Sequence, residues 1–136
     1  MNRRDVMKMM SAAALVPAAR IPNDVFGAGQ ANLTREPFGG LRIYFDGPTD
    51  QLKAMTAGSL VLKPGMSPHP PHQHPEEELL IVKEGTVETL QNGKASRLGP
   101  GSIIFHSSHD LHNIRNAGKT PATYHVIQWR VSGTAK

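Results

Sequence analysis

HQHPEEELLIVKEG, residues 72–85, sets two imidazoles and three carboxylates directly before an apolar run that closes on glycine. His72 and His74 are two apart. On an extended chain residues i and i+2 project from one face, so both rings can converge on one ion. Glu78 lies at an even offset from both, and Leu80 and Val82 continue the same parity. This stretch is therefore expected to begin with a coordinating set and to place an apolar interior below it. Residues 77–85 are apolar on both parities, which predicts a strand buried on both faces. Pro75 interrupts the stretch, and a bulge there would let Glu76 or Glu77 take the place of Glu78; otherwise those two glutamates are expected to face water. Upstream, the prolines at 68, 70 and 71 stiffen the entering loop and lower the entropy of holding ligands in place.

Outward from this stretch the signals are those of strands. LRIYF (41–45) ends at the turn Asp46-Gly47-Pro48, and SLVLKPG (59–65) runs into Pro64-Gly65. TVETLQNGKASRL (86–98) reads as a hairpin around Asn92-Gly93. SIIFH follows the turn at 99–101, and HNIRN (112–116) and TYHVIQW (123–129) complete the set. Only the segment 50–57 gives a weak helical signal. About eight short strands at roughly ten-residue spacing predict an all-β sandwich or barrel.

Six of the seven histidines fall in two clusters, His69, His72 and His74, then His106, His109 and His112. A random scatter over the chain would rarely do this. His112 follows a turn and begins a strand, where an inward ring can complete a shell of three His and one Glu. Such a shell leaves one or two positions open for water or substrate. His69, between Pro68 and Pro70, reads as a loop histidine at the mouth or a substrate-contacting group. His106 and His109 are open to the same two readings. His125 sits in an apolar strand and is expected to be a core histidine. Tyr124 and Gln128 lie on that strand within reach of a pocket, and Asn116 is expected to hold a turn.

The spacing His-x-His, three residues, Glu, six residues, Gly, carried by His72, His74, Glu78 and Gly85, resembles the first motif of the cupin family. HNIRN is similar to the end of the second motif, His-x-x-x-Asn, on His112 and Asn116, and the GPG turn at 99–101 to the turn before it. The resemblance spans roughly residues 39–130. It implies a double-stranded β-helix with one divalent metal on His72, His74, Glu78 and His112, and many members dimerise. Two departures stand out. Six residues separate Gly65 from His72 where the family usually has five, and Ser107 and His109 stand where its second motif usually carries Pro and Gly.

Length and composition agree with one turn-rich domain: 136 residues with 13 Gly and 11 Pro. There is no cysteine, so disulfides and thiolate ligands are excluded and a metal must be held by His, Asp or Glu. The net charge of +4 is spread without a basic stripe, which argues against nucleic-acid binding. The triad-like group Asp110, His109 and Ser107 lacks a nucleophile elbow.

The N-terminus reads as an address. A charged start is followed by the apolar run Met9 to Ala19, far shorter than the ~20 residues of a membrane span. Arg3-Arg4-Asp5-Val6-Met7-Lys8 resembles the twin-arginine export motif. Expected organisation is a signal peptide over 1–28, cleaved after Ala19 or Ala28, a linker over 29–38, a cupin barrel over 39–131 and a tail over 132–136. The expected location is periplasmic or secreted, with no stable membrane anchor and with homodimers allowed.

These features predict a metal-dependent enzyme of dioxygenase type acting on a small organic molecule. Glu78, His69 and His109 are the candidate acid–base groups. A module that binds a sugar or carboxylic acid without turnover is the alternative, and a metal-dependent isomerase or cyclase a third. Twin-arginine export carries folded proteins, which favours iron or manganese loaded before export over zinc, nickel or copper acquired outside.

Overall fold

The alternation resolves into nine strands within residues 19–131, the part of the chain that the computed structural model describes. The expected tail and the expected signal peptide as far as residue 18 lie outside the described residues. The strands are β1 (Thr34–Glu36), β2 (Gly39–Gly47), β3 (Ala54–Leu62), β4 (Glu77–Glu84), β5 (Val87–Gln91), β6 (Lys94–Leu98), β7 (Ile103–His106), β8 (His112–Asn116) and β9 (Ala122–Arg130). They form a six-stranded sheet in the order β1-β2-β3-β9-β4-β7 and a three-stranded sheet in the order β6-β5-β8. Pairing is antiparallel throughout these sheets. This is the all-β jelly roll of a double-stranded β-helix in a single domain.

Local chemistry explains the elements. Asn92 and Gly93 have φ of 48° and 86°, the double positive φ of a type I′ turn, and they join β5 to β6 at the pair Gln91–Lys94. The weak helical signal over 50–57 yields instead to a turn and a strand. Thr49 Oγ1 accepts from the backbone N–H of Gln51 and Leu52, and β3 begins at Ala54. Gly85 takes φ +84° where β4 meets β9, and a Cβ there would lie 2.7 Å from Ala122 Cα. That close approach is the physical reason for glycine at the end of the first motif.

The core lies between the two sheets. Leu41, Leu60, Leu62, Leu80, Val82 and Val126 of the larger sheet meet Val87 and Ile114 of the smaller one. Each such fully buried side chain contributes about 1.5–3 kcal/mol. In β4 the even residues Glu78, Leu80 and Val82 are buried, while Glu77, Leu79 and Ile81 are half-buried, so the strand is closed on one face and only partly covered on the other. His125 belongs to the outer parity of β9; it is half-buried beside Tyr44 and is not a core residue.

The expected linker over 29–38 is more than a linker. It contains β1, and Phe38 is 1% exposed in the core. Residues before it also dock. Ile21 N–H donates to Pro48 O at 2.9 Å, Arg20 pairs with Asp50, and the Phe26 and Phe45 rings lie 5.1 Å apart.

Candidate metal centre

One transverse row of the larger sheet is polar. Register places Asp46, Thr56, Gln128, Glu78 and His106 side by side across β2, β3, β9, β4 and β7. The next row inward is apolar, with Val126, Leu80 and Ile104 in register. The polar layer therefore rests on the hydrophobic core. Thr56 Oγ1 donates to Asp46 Oδ1 at 2.7 Å, and Gln128 Nε2 donates to Glu78 Oε1 at 2.7 Å.

The smaller sheet and the proline-rich loop bring the histidines to this row. His72 forms a two-way backbone bridge with His112, at 3.1 and 3.0 Å, which stitches the loop to the start of β8. His109 N–H donates to His74 O at 2.7 Å, so the turn before β8 clamps the second ligand candidate. On β8, Arg115 bonds Glu88 of β5 at 2.9 Å and holds the Glu88 carboxyl below the usual carboxylate range. Asn116 fixes the far end, donating to Leu62 O and Thr120 O and accepting from Gly118 N–H.

All four predicted ligands converge. The coordinating atoms of His72, His74 and His112 lie within 4.8 Å of one another. Glu78 Oε1 is 3.5 Å from His74 Nε2, and Glu78 Oε2 is 3.4 Å from His112 Nε2. Glu78 is fully buried and His74 and His112 nearly so. Pro75 does bend the chain, since β4 starts only at Glu77, yet the bend leaves Glu78 and not its neighbours in the site. Glu76 and Glu77 are half-buried rather than solvated. The Glu76 carbonyl accepts from His74 Nδ1 at 3.0 Å, and Glu77 accepts from Trp129 Nε1 at 3.1 Å.

The hydrogen bonds behind the rings test whether this set suits a cation. A backbone carbonyl only accepts, so His74 Nδ1 and His112 Nδ1, the latter 2.8 Å from Asp110 O, must each carry the proton. A neutral ring protonated on Nδ1 presents the Nε2 lone pair, and that is the second-sphere arrangement that prepares an imidazole for a metal. Three imidazoles with one carboxylate are donors for a divalent transition ion. The residues present fit one.

The remaining candidates divide. His69 is 4% exposed, its ring is 4.1 Å from that of His72, and its Nδ1 donates to Pro70 O at 2.6 Å. It belongs to the cluster rather than to the solvated loop. His109 is exposed and has φ 64°, the left-handed region. It occupies the position where the second motif usually has glycine, and its backbone supplies what that turn needs. His106 is fully buried on β7, stacked on His112 at 4.1 Å and 15°. With Glu78 and His112 it forms a second possible coordinating group. Strand parity in SIIFH could have placed His106 beside Ile104 on the inner face; nothing local in the sequence pairs it with Glu78 or Gln91.

Residues 58–128, just over half of the chain, match the family model Cupin_2: Cupin domain. The chain belongs to the Cupin_2 family. Over 60 residues it is 40% identical to dimethylsulfoniopropionate lyase DddQ of Ruegeria pomeroyi, a match covering 43% of this chain and 30% of that protein. The chain thus spans less than a third of that relative's length. Among solved structures it is similar to KdgF from Halomonas sp., with a TM-score of 0.66 and 19% identity over 84% of this chain and 100% of that one. A predicted oxalate decarboxylase from Thermotoga maritima gives 0.63 and 19%, over 79% of this chain and 100% of that one. A sugar phosphate isomerase of the cupin superfamily from Silicibacter pomeroyi gives 0.62 and 18%, over 79% and 76%. At these identities the structures bear on the fold alone.

Proposed function

We propose that this protein is a metal-dependent enzyme acting on a small organic molecule, with one divalent ion held by His72, His74, Glu78 and His112. The observation that carries this reading is the convergence of those buried donors, two of them held by backbone carbonyls in the ligating tautomer. When bound, the ion supplies Lewis acidity and open positions for substrate or dioxygen. We assign Glu78 the role of ligand, with Gln128 fixing the orientation of its carboxylate through Oε1. We assign the acid–base role to His69, whose buried ring stands 4.1 Å from that of His72 beside the candidate site. His109 is exposed and takes no part in this scheme.

The leading chemistry is dioxygenase-like, with iron or manganese. Metal-loaded protein should consume oxygen with one of a panel of enols, flavonols and diketones, and His74→Ala should abolish uptake. Ligand-induced stabilisation without turnover would instead make it a binding module for a sugar or carboxylic acid. A second reading, Lewis-acid lyase or isomerase chemistry, is favoured by the 40% identity to DddQ. Cleavage of dimethylsulfoniopropionate without oxygen uptake would replace the first reading by this one.

Export through the twin-arginine route belongs to the same proposal and accounts for loading before the chain meets copper and zinc. Cleavage after Ala19 would keep Arg20, Ile21 and Phe26, which pack on the barrel. Replacing Arg3-Arg4 by a lysine pair should leave the protein in the cytoplasm, and unaltered export would remove this part of the reading.

A further inference from the structure

We infer that His106 is a positioning residue for Glu78 and His112, and that a hydrogen bond from Gln91 holds it in a tautomer that cannot ligate. Its purpose rests on the metal-site reading above; its central claim, where one imidazole carries its proton, does not.

Two coordinating groups overlap at His112: His72, His74 and His112, and Glu78, His106 and His112. Distance does not choose between them. Proton positions do. Gln91 Nε2 lies 2.7 Å from Phe105 O and 3.0 Å from His106 Nδ1. The carbonyl can only accept, so this end of the amide is the NH2 group, and its other hydrogen is available to Nδ1. An imidazole that accepts at Nδ1 and is neutral carries its proton on Nε2. His74 and His112 show the opposite arrangement, with Nδ1 donating to carbonyls.

His106 Nε2 lies 4.0 Å from Glu78 Oε2. With the proton there, an N–H dipole faces the carboxylate and no lone pair is offered to an ion. The reverse tautomer would set a lone pair against a carboxylate oxygen in a water-poor site, where such contacts count most. Glu78 is then bracketed within its own row: the Gln128 amide on Oε1 from β9, and the His106 N–H toward Oε2 from β7. The same ring lies flat on His112 at 4.1 Å and 15°, so it also sets the plane of a ligand. The result is a single site of three imidazoles and one carboxylate in place of two competing ones.

Nitrogen-15 spectra of the imidazoles decide this in the full chain, metal-free and then with Zn²⁺. His106 should carry its proton on Nε2 in both states, and only the ligand rings should shift with zinc. A proton on His106 Nδ1, or a zinc-induced shift of its Nε2 like that of a ligand, would overturn the inference. If no ring responds to zinc, the metal reading fails, while the metal-free spectrum still decides the tautomer. Mn²⁺ affinity, read by paramagnetic resonance, is the second arm. His106→Leu should weaken it by about 10–100-fold. His106→Gln, which keeps a donor near the same place, should recover most of that loss; equal affinities for the two would count against positioning. If neither variant folds, Gln91→Leu is read by the same spectra. It should replace one His106 tautomer by a mixture, and an unchanged spectrum would refute the role given to Gln91.

Discussion

Gln128 Nε2 donates to Glu78 Oε1 at 2.7 Å across the β9–β4 pair, with both side chains buried. A buried carboxylate without donors is strongly disfavoured, so this amide is part of what lets a glutamate occupy the sheet interior. Gln128→Leu should lower the unfolding free energy of the metal-free protein by about 1.5–3 kcal/mol, the range for a hydrogen bond to a charged group. Urea unfolding measures it. Metal affinity of the same variant should fall by about tenfold, because the carboxylate loses its second-sphere support.

Ion binding should stabilise the fold. His72, His74 and His112 come from a loop and from β8, and Glu78 from the opposite sheet, so an ion would cross-link elements that the unfolded chain does not hold together. At a free ion concentration of 100 times Kd the gain should be about 2.7 kcal/mol. Thermal unfolding with and without ion checks it, and His74→Ala should erase the difference. Elemental analysis of the protein from its native compartment should find iron or manganese.

His109 offers a stabilising substitution. Its φ of 64° costs a side-chain-bearing residue about 1–2 kcal/mol, while glycine adds about 0.5–1 kcal/mol of unfolded-state entropy. His109→Gly should therefore raise stability by roughly 0.5–1 kcal/mol, the difference of those terms. His109→Val should lower it. The bond from the backbone N–H of residue 109 to His74 O is kept in both, so Mn²⁺ affinity should change little in the glycine variant.

Asn116 should tolerate almost nothing. Its Nδ2 donates at 2.9 Å to Leu62 O and at 2.8 Å to Thr120 O, while its Oδ1 accepts from Gly118 N–H at 2.8 Å, with no exposed surface. Asn116→Asp swaps two donors for an oxygen facing two carbonyls. The expected loss is about 1–3 kcal/mol, chiefly from the buried Leu62 carbonyl left without its donor. Chemical denaturation of the metal-free variant reads it directly.

Much of the fold was legible because its signals are local. Asn92-Gly93 specifies a type I′ hairpin through backbone sterics alone, and Gly85 marks a place where no Cβ fits. The even spacing of His72, His74, Glu78, Leu80 and Val82 assigned them one face across the bend at Pro75, and the buried positions of β4 follow that parity. The four ligand candidates, brought together here, are all found in that spacing and in the start of β8.

What the tertiary structure alone decided is which faces meet. Period-two alternation says which residues of one strand share a side, not which side is inward or which strand lies alongside. His125 shows this: it sits between inward neighbours in an apolar stretch but lies on the outer parity of β9. Gln128, Glu78 and His106 are neighbours only through the register of β9, β4 and β7, strands far apart in the chain. Gln91 reaches His106 only because the smaller sheet closes over the larger one's β7 edge. Three ligand candidates, His72, His74 and Glu78, were readable because they share even spacing along one extended stretch, and His112 because it opens a strand after a turn, in the spacing of the second motif. Their supports were not, because a hydrogen bond between strands depends on long-range pairing that no local pattern encodes.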